Sequence, residues 1–148
     1  MTEREAELQA VRLQKVEVHG GPIELAEYNP AWPELYEREA EKIRAALGDR
    51  ARALEQAGYV LSIREPDWHQ HRLLKGTDPT VNLHVFSHGS PEVERMLAFR
   101  NRLRANEAER MLYERAKREL ARRTWTYTQD YADAKTQVVK AILARAVA

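Results

Sequence analysis

The chain has 148 residues, 43% of them hydrophobic, which suits one globular domain with its own core and excludes a fibrous or wholly disordered class. Its formal net charge is +1 and it holds no cysteine, so disulfides, thiolate metal sites and a cysteine nucleophile are excluded together. The first residues are charged and no run of about 18 apolar residues occurs, so neither a signal peptide nor a membrane span is expected, and a cytoplasmic setting follows.

Residues 3–14 read as a charged helical extension with a thin apolar face, within an N-terminal stretch of residues 1–15. Val16 to Val18 is a short strand candidate, Gly20-Gly21-Pro22 breaks the chain, and Ile23 to Tyr28 reads as a strand. Asn29-Pro30 marks a helix start, because asparagine caps free amides and proline tolerates the first turn. That helix presents Trp32, Leu35, Tyr36, Ala40, Ile43 and Leu47 on one side and ends at Gly48. Asp49 opens a second, short helix through Leu54 that stops at Gly58.

Three strand candidates follow at Tyr59 to Arg64, His69 to Lys75 and Val81 to Ser87, joined closely enough to be antiparallel. In the third, Val81, Leu83 and Val85 share one face and Asn82, His84 and Phe86 the other. Ser90-Pro91 repeats the cap-then-proline signal and opens a helix carrying Val93, Met96, Leu97, Phe99 and Leu103. A helix over 108–122 turns Leu112, Ala116 and Leu120 inward, and a last one covers about 127–146. The class is therefore α+β: a mainly antiparallel sheet packed by helices, with a helical C-terminal half and no interdomain linker in 1–148.

Charge is unevenly spread. Carboxylates crowd residues 24–41, while arginine and lysine crowd 95–123 with glutamates interleaved. Spacings such as Glu114 with Arg118 mark this as a solvated helix face rather than a nucleic-acid surface. No zinc-finger spacing or RNA-binding motif is present, so nucleic acid is disfavoured as a partner.

Four constellations bear on chemistry. His69 and His71, two apart on a strand, point to one side and with His84 would resemble a metal set, but without cysteine or a clear carboxylate partner no metal is expected. His71, Lys75, Asn82 and His84 would line one polar sheet face able to meet a phosphate or carboxylate: lysine supplies charge, asparagine orients, histidine relays a proton. Arg100 and Arg104 share a helix face and form a candidate anion clamp. Trp125, Tyr127 and Tyr131, with Lys135 continuing the row, read as packing against the sheet.

Residues 27–33, Glu-Tyr-Asn-Pro-Ala-Trp-Pro, resemble the start of GrpB-like proteins of the nucleotidyltransferase superfamily. The runs at 82–86, 96–106, 113–120 and 131–136 are similar to that family in the same order. The resemblance implies a Gly-Ser turn for nucleotide phosphates and aspartates for a divalent metal. Here residues 47–52 run almost directly into 53–58 with no Gly-Ser between them, and no Asp-x-Asp occurs anywhere. About 30 residues are missing by this comparison, the length of a helix start plus two short strands. No catalytic residue carries over, and the cofactor is unassigned. A chain that loses strands exposes a sheet edge, so a homodimer is expected. The expected function is a scaffold that binds a nucleotide or another anionic small molecule. The alternatives are an enzyme using the polar strand face and a structural, oligomerising protein.

Overall fold

Alternating apolar residues between Tyr59 and Val85 build a three-stranded sheet and its core. The computed structural model describes residues 1–10, 12, 18–47, 52–78 and 80–146. Its contacts group into two units, Met1–Val16 with Glu27–His88, and Glu17–Ala26 with Gly89–Ala148.

The first unit holds helices α1 (Glu3–Ala10), α2 (Trp32–Leu47) and α3 (Arg52–Gln56), then strands β1 (Tyr59–Glu65), β2 (His71–Thr77) and β3 (Thr80–Val85). The strands form one antiparallel sheet in the order β1-β2-β3. Register sets its faces. Leu74 stands opposite both Leu61 and Leu83, while Lys75 stands opposite Asn82 and Leu73 opposite His84. Because successive side chains alternate, Leu74, Val81, Leu83 and Val85 fall on one face and His71, Lys75, Asn82 and His84 on the other. The apolar face is packed: Leu54, Tyr59 and Leu74 are buried, with Ile43, Ala57, Leu61, Val81, Leu83 and Val85 against them. Burying a leucine in this way contributes about 1.5–3 kcal/mol.

Tyr59 carries a polar tip into this core, and its hydroxyl donates to Glu39 Oε2 at 2.6 Å. Burial, and then the Glu39 carboxylate, push the phenol up to about 12. At α1, Thr2 and Glu5 cap each other: Thr2 Oγ1 accepts from the Glu5 amide and Glu5 Oε2 from the Thr2 amide. Asn29 Oδ1 accepts from the Ala31 amide at 2.9 Å, so the asparagine cap is as expected, although regular helix begins only at Trp32.

The second unit holds α4 (Pro91–Ala105), α5 (Glu107–Ala121), α6 (Thr128–Ala134) and α7 (Thr136–Ala146). Ser90 Oγ accepts from the Glu92 amide, as the Ser-Pro signal implied, and Asn106 Oδ1 accepts from the Glu109 amide to start α5.

Three expectations are corrected. Ile23 to Tyr28 is not a strand: its exposure alternates only as far as Ala26, and its recorded ladder is one bond, the Ile23 amide to the Ala121 carbonyl at 2.9 Å. The last helix is two, because at Lys135 the amide turns back to the Ala132 carbonyl and α7 begins afresh. Leu112 faces solvent, and Ala121 and Glu109 take the buried side of α5. Val93, Met96 and Leu97 on α4 are also exposed, a point on which the sequence carried no expectation. The strand proposed at Val16 to Val18, the helix end at Gly48 and the cap at Asp49 lie outside the described residues, apart from Val18, which has no regular structure.

Candidate functional site

The turn between β1 and β2 shapes the polar sheet face. Pro66 ends β1, and the chain reverses over Asp67 to Gln70 with the Trp68 amide on the Glu65 carbonyl and the His71 amide on the Trp68 carbonyl. His69 and Gln70 both adopt left-handed backbone, φ 52° and 54°, a conformation costing non-glycine residues about 1–2 kcal/mol each. The reversal is clamped from outside: the His69 carbonyl accepts from both the amide and the hydroxyl of Ser87. His69 therefore belongs to the turn, and β2 begins at His71. The alternation that would have aligned His69 with His71 as metal ligands does not exist.

His71 is 4% exposed and satisfied at both ring nitrogens. Nδ1 lies 2.6 Å from Glu65 Oε2, and Nε2 lies 2.9 Å from His84 Nδ1. Phe86 and His84 stack on its ring at 4.6 and 5.2 Å, and Trp68 meets it edge-on at 5.2 Å. Glu65, His71 and His84 thus form a hydrogen-bonded carboxylate–imidazole–imidazole chain from β1 across to the edge strand.

The proton arithmetic is constrained. An ionised Glu65 only accepts, so His71 donates from Nδ1–H. With His71 neutral, its Nε2 accepts from His84 Nδ1–H, and His84 Nε2 keeps a lone pair at the exposed end. A proton arriving there can be matched by transfer of the Nδ1 proton to His71, placing the positive charge beside Glu65. His84 is open along one edge and covered on the other by the His71 ring. This partial burial, with repulsion from His71 and against the pull of Glu65, holds its imidazole below the ordinary value of 6.5, favouring the neutral ring.

Lys75 is exposed and directly opposite Asn82, two residues along the same face. Asn82 also borders a groove of about 780 Å³ between α2 and β3, lined by Trp32, Leu35, Tyr36 and Val81. The four residues picked from the sequence therefore share one face: His71 and His84 touch, and Lys75 and Asn82 are register partners. Among the described residues, no three His, Asp or Glu side chains converge as a metal site.

Arg100 and Arg104 lie exposed on α4 in the other unit, where Arg100 Nε and Nη2 donate to Asn101 Oδ1. Trp125 and Tyr131 pack edge to face at 6.0 Å and Trp125 Nε1 donates to the Leu120 carbonyl, so these aromatics are packing residues set against α5. Glu114 pairs with Arg118 as the spacing implied, at 2.9 Å. Glu109 breaks the solvated pattern: it is buried and takes a two-pronged Arg145 at 2.7 Å on each oxygen, with Arg102 at 3.4 Å.

Sequence reading missed Glu65 and the aromatic walls Trp68 and Phe86. The available signal was the turn itself, since Glu65 and His71 close the hairpin as register partners.

The fold and this site define a small α+β protein whose described residues include a three-stranded antiparallel sheet with a histidine chain on its polar face. The GrpB protein family matches residues 47–145, and the chain belongs to that nucleotidyltransferase-like family. It is 41% identical to a UPF0157 protein of Halalkalibacterium halodurans, over 95% of this chain and 90% of that protein. A UPF0157 protein of Streptomyces coelicolor is 34% identical over 88% of this chain and 90% of its own. One of Pseudomonas aeruginosa is 29% identical over 85% and 68%. The span aligned with the first relative, 176 positions, exceeds the 148 residues of the chain, so that relative carries residues within the span that have no counterpart here. No solved structure matches. Among the described residues, no helix is long and apolar enough to cross a membrane.

Proposed function

We propose that this GrpB-family chain binds an anionic small molecule, a nucleotide or another phosphorylated or carboxylated compound, on the sheet face of His71, Lys75, Asn82 and His84, without metal-dependent nucleotidyl transfer. The Glu65–His71–His84 chain carries this reading, because it sets an acceptor nitrogen on the same sheet face as a lysine that supplies charge. The lack of Gly-Ser between residues 47 and 58, the lack of any Asp-x-Asp, and the longer span of the relative support the loss of a transfer segment between α2 and α3. A cysteine-free chain fits a cytoplasmic setting. The test is a thermal-shift titration with ATP, GTP, CTP and UTP, each with and without magnesium. Saturable stabilisation that Lys75→Ala removes is the expected result. No shift at millimolar nucleotide, or an unchanged shift in that variant, overturns the nucleotide assignment.

A second reading, an enzyme performing acid–base chemistry on such a ligand, is favoured by the same hydrogen bonds. His84 Nε2 takes the proton, His71 receives the one displaced, and Glu65 stabilises the resulting imidazolium. Lys75→Ala then abolishes turnover while the fold survives, and ordinary turnover by that variant sinks the assignment. The chain is also proposed to be a homodimer. Among the described residues β3 pairs only with β2, and its outer edge borders the groove of exposed Trp32 and Tyr36. Size-exclusion chromatography with light scattering at micromolar concentration is expected to give the dimer mass; a monomer mass refutes this.

A further inference from the structure

We propose that the groove between α2 and β3 binds a small organic cation, an amine carried on an aromatic body, with the Glu39 carboxylate as its counter-charge. On α2, Trp32, Tyr36, Glu39 and Ile43 follow one another at spacings of four, three and four, which is one face of a helix. That face and the strand residues Val81 and Leu83 line a space of about 780 Å³. Pockets of about 300–1,000 Å³ hold whole drug-sized molecules, so a ring with a short arm fits. The rim is open, with Trp32 43% and Tyr36 66% exposed.

Glu39 gives the groove its charge preference. The residue is buried, and both of its recorded contacts fall on one oxygen, Oε2. The Tyr59 hydroxyl donates to it at 2.6 Å, and burial followed by this carboxylate keeps that phenol protonated across the neutral range. The Lys42 ammonium lies at 3.5 Å, beyond the about 2.7–2.9 Å of a direct charged hydrogen bond, and leans over the Tyr59 ring. Among the described residues Oε1 takes no hydrogen bond, yet it is not sealed from solvent: the one sealed and unpartnered side-chain atom is Arg102 Nε. An ionised carboxylate has places for about four donors, and this one has two neighbours on a single oxygen.

The rest of the lining selects a cation over an anion. Trp32, braced edge-on by Tyr28 at 5.7 Å, and Tyr36 supply rings whose faces attract positive charge. Among the described residues no lysine or arginine lines the groove. Residues 32–41 carry four glutamates, Glu34, Glu37, Glu39 and Glu41, against Arg38 alone. An anion would be repelled by the Glu39 carboxylate, and a purely apolar ring would cover Oε1 without a donor. An ammonium group donates to Oε1 while its apolar body displaces water from Val81 and Leu83. The site is opposite in sign to the sheet face of Lys75 and His84 and goes beyond that reading.

The full chain, labelled with ¹⁵N, is followed through its tryptophan indole signals while phenethylamine, phenylethanol or phenylacetate is added, with Trp32 assigned by Trp32→Phe. The three probes share a ring and differ in charge. Phenethylamine is expected to move the Trp32 signal saturably in the millimolar range and to leave Trp68 and Trp125 in place, with phenylacetate about tenfold weaker or more. Glu39→Gln keeps an acceptor for Tyr59 and is expected to weaken phenethylamine about tenfold while leaving phenylethanol unchanged. An unmoved Trp32 at millimolar amine, an equal response to phenylacetate, or full amine affinity in a folded Glu39→Gln protein overturns the proposal. So does a Trp32 signal that follows protein concentration in place of amine, which means that a second copy fills the groove. Should Glu39→Gln fail to fold by circular dichroism, Tyr36→Ala, at the exposed rim, is expected to weaken the amine more than the alcohol, and equal losses overturn the proposal.

Discussion

Two glutamates, one in each unit, face the same electrostatic problem and receive opposite solutions. Glu109 is buried between α4, α5 and α7 and is held by two guanidiniums, Arg145 and Arg102, which never give up their charge. Glu65 is held by His71, which passes the contact on to His84, and both partners can change protonation. The first arrangement braces helices. The second links the carboxylate through two imidazoles to an exposed ring. Similar short distances to a carboxylate thus join it to a permanent cation in one place and to an imidazole in the other.

The sharpest way to break this contrast is to remove a fixed partner. Arg145→Met leaves Glu109 buried with only the longer Arg102 contact, so it is expected to give the largest loss of stability among these variants, and Glu109→Gln in the same background is expected to recover part of it. Urea melts of the single and double variants measure both effects. His71→Ala comes next. It strips Glu65 and His84 of their partner and is expected to cost about 1–3 kcal/mol by the same melts. Tyr59→Phe removes the hydroxyl that Glu39 accepts and is expected to cost about 1–2 kcal/mol, less because Lys42 still pairs with Glu39 at 3.5 Å.

Acidification separates the two clusters by pH. His84 is held below 6.5 in the fold, so on acidification the unfolded chain binds that proton first. Its contribution is full above about 6.5, fades as pH falls below that value, and stops changing under the folded value. Glu109 is held below the ordinary carboxylate value of 4.5, chiefly by the Arg145 hydrogen bonds. Its contribution is full above 4.5 and is lost only as pH falls through the lower, folded value. Stability is therefore expected to fall in two steps, and His84→Asn is expected to remove the upper one. This is the smallest effect of the set, because the ring is partly in water. Urea midpoints between pH 8 and pH 3 resolve it, and a single acid transition contradicts it.

The legible parts of the fold were those written in local pattern. Alternation through Thr80 to Val85 set the two faces of the sheet, and Lys75 and Asn82 met in register because both pairing and pleat follow a period of two. Ser90 announced α4 by its own side chain. Patterns misled where a neighbour was required. Ile23 to Tyr28 alternates like a strand, yet a strand needs a ladder along its length and the recorded one is a single bond at Ile23. Lys135 lies in an unbroken helical period, and nothing in that period records the turn of its amide to Ala132. At the site, the residues of the polar face could be named, but the burial of His71 depends on Glu65, Trp68 and Phe86 closing around it from the turn and from the chain beyond β3. Glu109 and Arg145, 36 residues apart, gave no local sign of each other.

The state of His84 tests the central claim most directly. A long-range ¹H–¹⁵N correlation spectrum of the imidazole nitrogens at pH 7, assigned with His71→Gln and His84→Asn, reports which nitrogens carry protons. A neutral His84 protonated at Nδ1 with a bare Nε2, beside a His71 protonated at Nδ1, is the predicted result. A His84 protonated at Nε2, or doubly protonated at that pH, would contradict the account and leave the Glu65–His71–His84 chain a structural contact like that of Glu109.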